Sequence, residues 1–485
     1  REYTRTSLHS NMATESAERG NVQFVLLTAV VVGLVSLLLQ TFWKRIIAKN
    51  GRGDSPPMHA GWFPWIGCAV EFGKAPVHFI EAKRKEMGPV YTLLVAGEHM
   101  TFLLDPEYFH LFFQSPNVDF QKAVQSPVQR VASVTEESFF TYHTKIHDTV
   151  KGKLAAGKLT SLYPKLRQSF AEGLDQIKTG DYELHDVVRG VMYRTVLDNL
   201  FGKGVLPTLD QDKYKELERH FVMFDDLFEY GAKLPPFFLR EWSTSKGWLL
   251  KLFGQVVKRV DTGGEEEKKT VLQSLLSVVD AQHAPNYGLL LMWASLANAI
   301  PIMFWTLAFV LDDKRVVEKA RQEVMSTVGT SNEVREESLA SMPYLKCCIL
   351  EAIRLRSPGI ITRRVVKPFK VKNMTVPAGD MVMVSPFWAH RNPTFFPDPH
   401  KFMPERWLSA DLEKNIFLEG FIAFGGGRYQ CPGRWFALLE LHLFLALFLQ
   451  RFDCKLQGAV PDLSPLHLVG TQQPVGPCPV HIENL

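Results

Sequence analysis

Cysteine is scarce in this chain, and its spacing follows no disulfide or metal pattern. The six cysteines among 485 residues include no CxxC and no framework of the disulfide kind, which excludes a disulfide-stapled scaffold and suits a reducing compartment with free thiols. A surplus of one charge is also missing. Fifty-five Lys and Arg against 51 Asp and Glu leave a formal charge of +4, and no basic stripe interleaved with aromatics stands out, so nothing calls for a nucleic acid partner. No internal repeat is present. What is plentiful is apolar surface: 46% of the residues are hydrophobic, enough at this length for a large core.

Charge is absent altogether from two stretches. Between Arg19 and Lys44 there is none, and Val22 to Leu39 would rise about 27 Å as a helix, enough to cross a bilayer core. Lys44, Arg45, Lys49 and Arg52 follow it, so the positive-inside rule puts everything after the span on the cytosolic side. The second uncharged run extends from Ala281 to Leu311. Ser295, Asn298 and Pro301 at its middle would be costly against lipid. The expectation is a long helix buried in protein and opened at its centre around a site.

Between these runs the text alternates. Pro56, Pro57 and Pro64 make Ser55 to Gly67 a stiff lead-in without helix. Strand-like runs lie at Val90 to Gly97 and Met100 to Asp105, and apolar positions three and four apart predict helix through most of Phe109 to Thr327. Within that region KLPPFFLREW, Lys233 to Trp242, reads as a loop whose Phe237, Phe238, Leu239 and Trp242 either dip into a membrane or pack in the core. Strand returns from Phe369 to Ser385 around the turn VPAGD.

Near the C-terminus stands FGGGRYQCPGRW, Phe424 to Trp435, followed by the apolar run FALLELHLFLALFLQRF. A thiolate is favoured where the free amides of a helix start converge, and these lower a cysteine's pKa. Pro432 suits a first helical turn. Glycines 425, 426, 427 and 433 let the backbone approach a flat, bulky partner, and Phe424 could cover one side of the sulfur. A metal-bound macrocycle fits. Zinc would need further Cys or His ligands close by, and a phosphate loop fails because Gln430 stands where its last glycine belongs. A thiol nucleophile served by one of fifteen histidines has no supporting motif, and an inert buried cysteine would not need these glycines.

The stretch resembles the haem-binding loop of the cytochrome P450 family, with Phe424, Gly427, Cys431 and Gly433 filling the pattern. The resemblance implies haem b, iron protoporphyrin IX, with Cys431 as the axial ligand of its iron. Where the family usually has Arg or His two residues before the cysteine, this chain has Tyr429, with Arg428 beside it as the candidate substitute for a propionate contact. The family's Glu-x-x-Arg pair is matched by Glu351 and Arg354, and FMPERW supplies Arg406 to complete a buried network. Arg363 in PGIITRRVV matches a propionate-binding arginine. In the second uncharged run the acid and alcohol of most family members are replaced: the run reads Ala297, Asn298, Ala299, Ile300, Pro301. Asn298 and Ala297 are the candidate distal residues, Asn298 holding water or a sterol hydroxyl.

This departure is similar to the sterol-oxidising branch and also to the endoperoxide isomerases of the prostacyclin synthase kind, which need no proton relay. Together with SPFWAHRNP and LHLVGTQQP, the segments most resemble the oxysterol 7α-hydroxylase group. That implies a mainly α P450 fold with smaller β-sheets behind one N-terminal transmembrane helix. Residues 1–20 form a tail, 21–43 the anchor, 44–67 a basic, proline-rich lead-in and 68–485 a cytosolic haem-binding catalytic domain. The implied enzyme is a monooxygenase of cholesterol and bile acid metabolism in the endoplasmic reticulum membrane. It takes O2, electrons from NADPH through NADPH-cytochrome P450 reductase, and an oxysterol, 24-hydroxycholesterol foremost. Gln125 to Ser133 and Leu468 to Thr471 are candidate pocket walls, the alternative being ordinary loops. The alternative is a reductase-independent isomerase of lipid endoperoxides.

Overall fold

The computed structural model describes residues 26–39, 41–42, 53–63, 65–265, 268–329, 333–409, 420–464 and 469–485. The N-terminal tail, the first residues of the apolar run, the basic cluster Lys44 to Arg52 and Leu468 lie outside the described residues. What is described of the first uncharged run is an apolar helix, α1 (Leu26–Leu39), its leucines and valines exposed.

Helix dominates the body. α2 (Phe120–Ala132) and α3 (Glu136–Lys153) are each started by a side chain that caps the first turn: Asp119 accepts from the Lys122 amide at 2.9 Å, and Thr135 from the Ser138 amide at 3.2 Å. α2 takes in nearly all of Gln125 to Ser133, so that wall segment is helix and not loop, with Pro127 inside it. Capping by Asp119 and a strong apolar stripe outweigh the single proline. α4 (Leu184–Phe201) and α5 (Gln211–Asp226) follow. KLPPFFLREW divides: Phe237 and Phe238 are exposed on a short turn. Trp242 enters the core in the next helix, Arg240–Val256, stacks on Phe224 at 5.7 Å and donates its indole N–H to the Phe224 carbonyl.

The second uncharged run is two helices in sequence, α6 (Ala284–Leu296) and α7 (Ala299–Asp312). Nearly every residue of α7 is buried, between α4, α8 (Pro343–Arg356) and α9 (Arg434–Arg451). This is a core helix, and its lack of charge follows from having protein on every side.

The largest sheet packs beside the bundle. Its strands are β1 (Met58–His59), β2 (Val90–Val95), β3 (Glu98–Leu103), β4 (Val118–Asp119), β5 (Ile361–Val365) and β6 (Met381–Val384), in the order β1-β2-β3-β6-β5-β4. β2 and β3 form a hairpin whose two turn residues, Ala96 and Gly97, both have positive φ, 49° and 83°, the twist that two-residue hairpins favour. β6 joins β3 in parallel, Met100 opposite Met381, and pairs antiparallel with β5, Arg363 opposite Val382. Register on β5 therefore decides where Arg363 goes. A smaller sheet carries the C-terminus, with Phe452–Leu456 and Gly180–Glu183 flanking Pro479–Asn484.

Candidate active site

Cys431 sits just ahead of α9, separated from Arg434 by Pro432 and Gly433. The loop bends back so that the Cys431 amide donates to the Phe424 carbonyl at 2.9 Å. That closure needs the left-handed backbone at Gly427, φ +70°, where a Cβ would come within 3.0 Å of the Phe113 carbonyl. Glycine is required there by space as well as by dihedral. The expectation that the helix start lowers the thiol pKa is corrected: burial pushes the Cys431 thiol up. The opposing pull of the Gly433 and Arg434 amides and the Arg434 guanidinium does not offset it. Removing water from the sulfur is the larger effect, so a thiolate here needs a cation of its own.

Glu351 and Arg354 are both fully buried on α8 and pair twice, Arg354 Nε and Nη2 each donating at 2.8 Å. Arg406 Nε donates to Glu351 at 2.9 Å, and the Trp407 indole and the Met403 amide complete the carboxylate's set. Arg354 Nη1 donates to the carbonyls of His390 and Pro399, both at 2.7 Å. Every charge is thus met, the condition on which a buried ion pair is tolerated. The network reaches the cysteine loop through His390, a residue that sequence reasoning passed over. Its Nδ1 lies 3.2 Å from the Arg354 carbonyl and its Nε2 accepts from the Ile422 amide at 3.1 Å, two residues before Phe424. Burial holds His390 well below the usual imidazole pKa, and the neutral ring with its proton on Nδ1 satisfies both bonds.

Arg363 is buried, with its guanidinium 5.1 Å from the Phe112 ring and 4.7 Å from Phe120. Among the described residues no carboxylate lies within ion-pair distance of it. Its Nη1 donates to the neighbouring Thr362 carbonyl at 2.9 Å, and desolvation pushes its pKa down to about 10. A cation so placed lacks its anion. The Tyr429 ring lies 5.1 Å from Phe120, 5.2 Å from His143 and 5.4 Å from His147, and its hydroxyl is 3.2 Å from the Thr144 hydroxyl. Arg428 is not part of this group: its side chain is 62% exposed and meets Asp148 at 3.4 Å. The structure therefore puts Tyr429, His143 and His147 where an inner contact by Arg428 was expected. The histidines lie four apart on α3, a spacing too common to have been noticed in the sequence alone.

The break between α6 and α7 falls at Ala297 and Asn298. Ala297 is buried, whereas Asn298 and Ala294 are exposed on one face of an otherwise packed helix, so the break borders a space the side chains do not fill. Asn298 Oδ1 is already engaged, accepting from the Thr471 amide at 3.0 Å and from its hydroxyl at 3.2 Å. The oxygen expected to hold a sterol hydroxyl instead ties the helix break to the C-terminal loop.

Residues 56–476 match the family model described as Cytochrome P450. The chain belongs to the cytochrome P450 family. Two similar proteins are named 24-hydroxycholesterol 7-alpha-hydroxylase. The Mus musculus protein is 44% identical over 437 residues, 88% of this chain and 93% of its own. The Homo sapiens protein is 42% identical over 465 residues, 94% and 97%. Among solved structures, retinoic acid bound cyanobacterial CYP120A1 superposes with a TM-score of 0.74 at 21% identity, over 89% of this chain and 99% of that one, a likeness of fold. The isomerase alternative is not favoured, because relatives matching most of this P450 are named hydroxylases.

Haem fits the residues present. A half-buried, desolvated thiol in need of a cation, a buried arginine in need of an anion, and a glycine loop closed around the sulfur are what an iron porphyrin with propionates would satisfy together. As a P450, the protein uses haem and O2 with electrons from a redox partner.

Proposed function

We propose that this P450 hydroxylates side-chain-hydroxylated sterols at the 7α position, 24-hydroxycholesterol foremost, with electrons from NADPH-cytochrome P450 reductase. The observation that carries the reading is the 44% identity over 88% of the chain to a protein named for that reaction. Cys431 would hold the iron, Arg363 and the ring cluster around Tyr429 the propionates, and the Glu351, Arg354 and Arg406 network the loop between them. Haem bound there supplies dioxygen activation and transfer of one oxygen atom. The chain's own part is to orient the sterol and exclude water. Ala297 and the exposed face at Ala294 and Asn298 would form the distal wall, and the Asn298 to Thr471 tie fixes the C-terminal loop against it.

An open recess of about 340 Å3 beside the cysteine loop, lined by Lys151, Arg434, Trp435 and Asp148 among others, suits docking of an electron donor. The body stands on the cytosolic face of the endoplasmic reticulum membrane, with residues 21–43 spanning it, 44–67 as the lead-in and 68–485 as the catalytic domain. Exposed Trp62, Phe63, Trp65, Phe237 and Phe238 give the body apolar surface to set against lipid. Reconstitution with reductase tests the reading. The 7α-hydroxylated product should form from 24-hydroxycholesterol only when NADPH and reductase are both supplied. Absence of sterol product, or endoperoxide rearrangement without reductant, would overturn it.

A further inference from the structure

Monooxygenation consumes protons as well as electrons: R–H + O2 + 2 e− + 2 H+ gives R–OH + H2O. The positions from Ala297 to Pro301 offer no acid and no alcohol to deliver them. They do offer an opening. Pro301, the third residue of α7, has no N–H to return to the Ala297 carbonyl, so at the buried junction of α6 and α7 one acceptor lacks a helical donor.

Against this opening lies a cavity of about 10 Å3, the scale of a single water. Leu296, Ile300 and Pro301 bound it on the side of the broken helix. Opposite them stand His185 and Arg189 of α4, with Asp225 and Asp226 of α5. The Trp293 indole donates to Asp225 Oδ1 at 2.9 Å and so pins that carboxyl to α6. Arg189 Nη2 lies 3.2 Å from the His185 ring, while Arg189 Nε is buried with no protein partner among the described residues. A buried donor of this kind needs a water.

We propose that Asp225, through water in this cavity, supplies the protons of turnover to the distal side across the gap at Pro301. The proposal rests on the monooxygenase reading. The Asp225 O–H bond breaks as water takes the proton, the water passes a proton into the opened helix, and the carboxylate is refilled from solvent at the exposed Asp226. Electrons come from the redox partner, and no other reagent is consumed. Asp225 is a relay residue and does not touch the reacting atoms.

The electrostatics agree with the geometry. Desolvation pushes the Asp225 carboxyl up to about 7, with Asp226 and Glu229 adding to the rise and the Trp293 bond and Arg189 opposing it. A carboxyl poised there both gives and regains a proton near neutral pH. Burial, helped by Arg189, pushes His185 down to about 4, so its ring is neutral. Glu218, also on α5, is raised by burial, and the broken helix contributes no titratable group to this cavity.

The test is Asp225→Asn in the holoenzyme with reductase. Sterol product per NADPH should fall roughly 100-fold, with hydrogen peroxide released in its place. Product driven by cumene hydroperoxide should fall far less, and Asp225→Glu should restore part of the coupling. Independently of turnover, the infrared carboxyl band of the substrate-free ferric protein should titrate near neutral pH and vanish in Asp225→Asn. Unchanged coupling, equal loss by both routes, or no such band in the wild type would overturn the relay. If the wild type makes no sterol product by either route, the substrate assignment fails, while the infrared band and peroxide release still decide Asp225.

Discussion

A guanidinium buried between rings, as Arg363 is, has a sharp consequence for cofactor retention. Arg363→Ala should weaken haem binding by about tenfold or more, the scale of one charge-assisted hydrogen bond. The ratio of haem to protein after gel filtration measures this, with far-ultraviolet circular dichroism expected unchanged. Arg428→Ala, at the exposed site, should leave that ratio as it was. Glu440 on α9 is a different case: it is buried, its Oε2 has no partner among the described residues, and burial raises its pKa well above the usual range. A carboxyl whose folded pKa is raised costs stability as pH climbs above its unfolded value, about 4.5. Glu440→Met should therefore raise the melting temperature, by more at pH 8 than at pH 5, and an equal gain at both would contradict this. At this scale the Glu351, Arg354 and Arg406 network was legible because its members sit in spaced motifs, and the same kind of spacing is what singles out Cys431 and Arg363 for their proposed roles. His390, His143 and Asp225 were not, because their significance lies in partners far away in sequence.

Two elements carry the geometry between them. α8 holds Glu351, and the chain of bonds from Arg354 through His390 to Ile422 sets the loop that ends at Cys431. Glu351→Gln leaves the buried Arg354 guanidinium and the half-buried Arg406 guanidinium facing a neutral amide, a loss of about 3–5 kcal/mol. The expected outcome is protein that expresses without haem or unfolds at markedly lower temperature, not one that merely turns over slowly. The broken helix α6–α7 behaves differently. Asn298→Ala should detach the C-terminal loop while leaving the core packed, so chromatography should show a broader set of hydroxylated products with little change in melting temperature. The uncharged run and Pro301 made this break readable from sequence. That Asn298 serves Thr471 was not readable, since 173 residues separate the two.

At the scale of the molecule, the P450 architecture was legible through the resemblance carried by the cysteine loop, the Glu351–Arg354 pair and FMPERW, whereas composition and periodicity gave only a large core, a helical middle and two short strand regions. The sheet that carries Arg363 joins strands from both ends of the chain, β1 to β4 with β5 and β6, which periodicity alone does not reveal. Under the proposed membrane anchoring, the exposed rings at Trp62, Trp65, Phe237 and Phe238 would meet lipid. With the full chain in vesicles and Trp43 of the proposed span replaced by Phe, brominated lipids should quench tryptophan emission, and adding Trp62→Phe with Trp65→Phe should remove most of that quenching. Above all, the account requires that Cys431 and no other cysteine bind the iron as a thiolate. The reduced, carbon-monoxide-bound spectrum tests this most directly. Cys431→Ser should abolish the red-shifted band of a thiolate-ligated haem while Cys454→Ala keeps it, and a Cys431→Ser protein that retains the band would contradict the account.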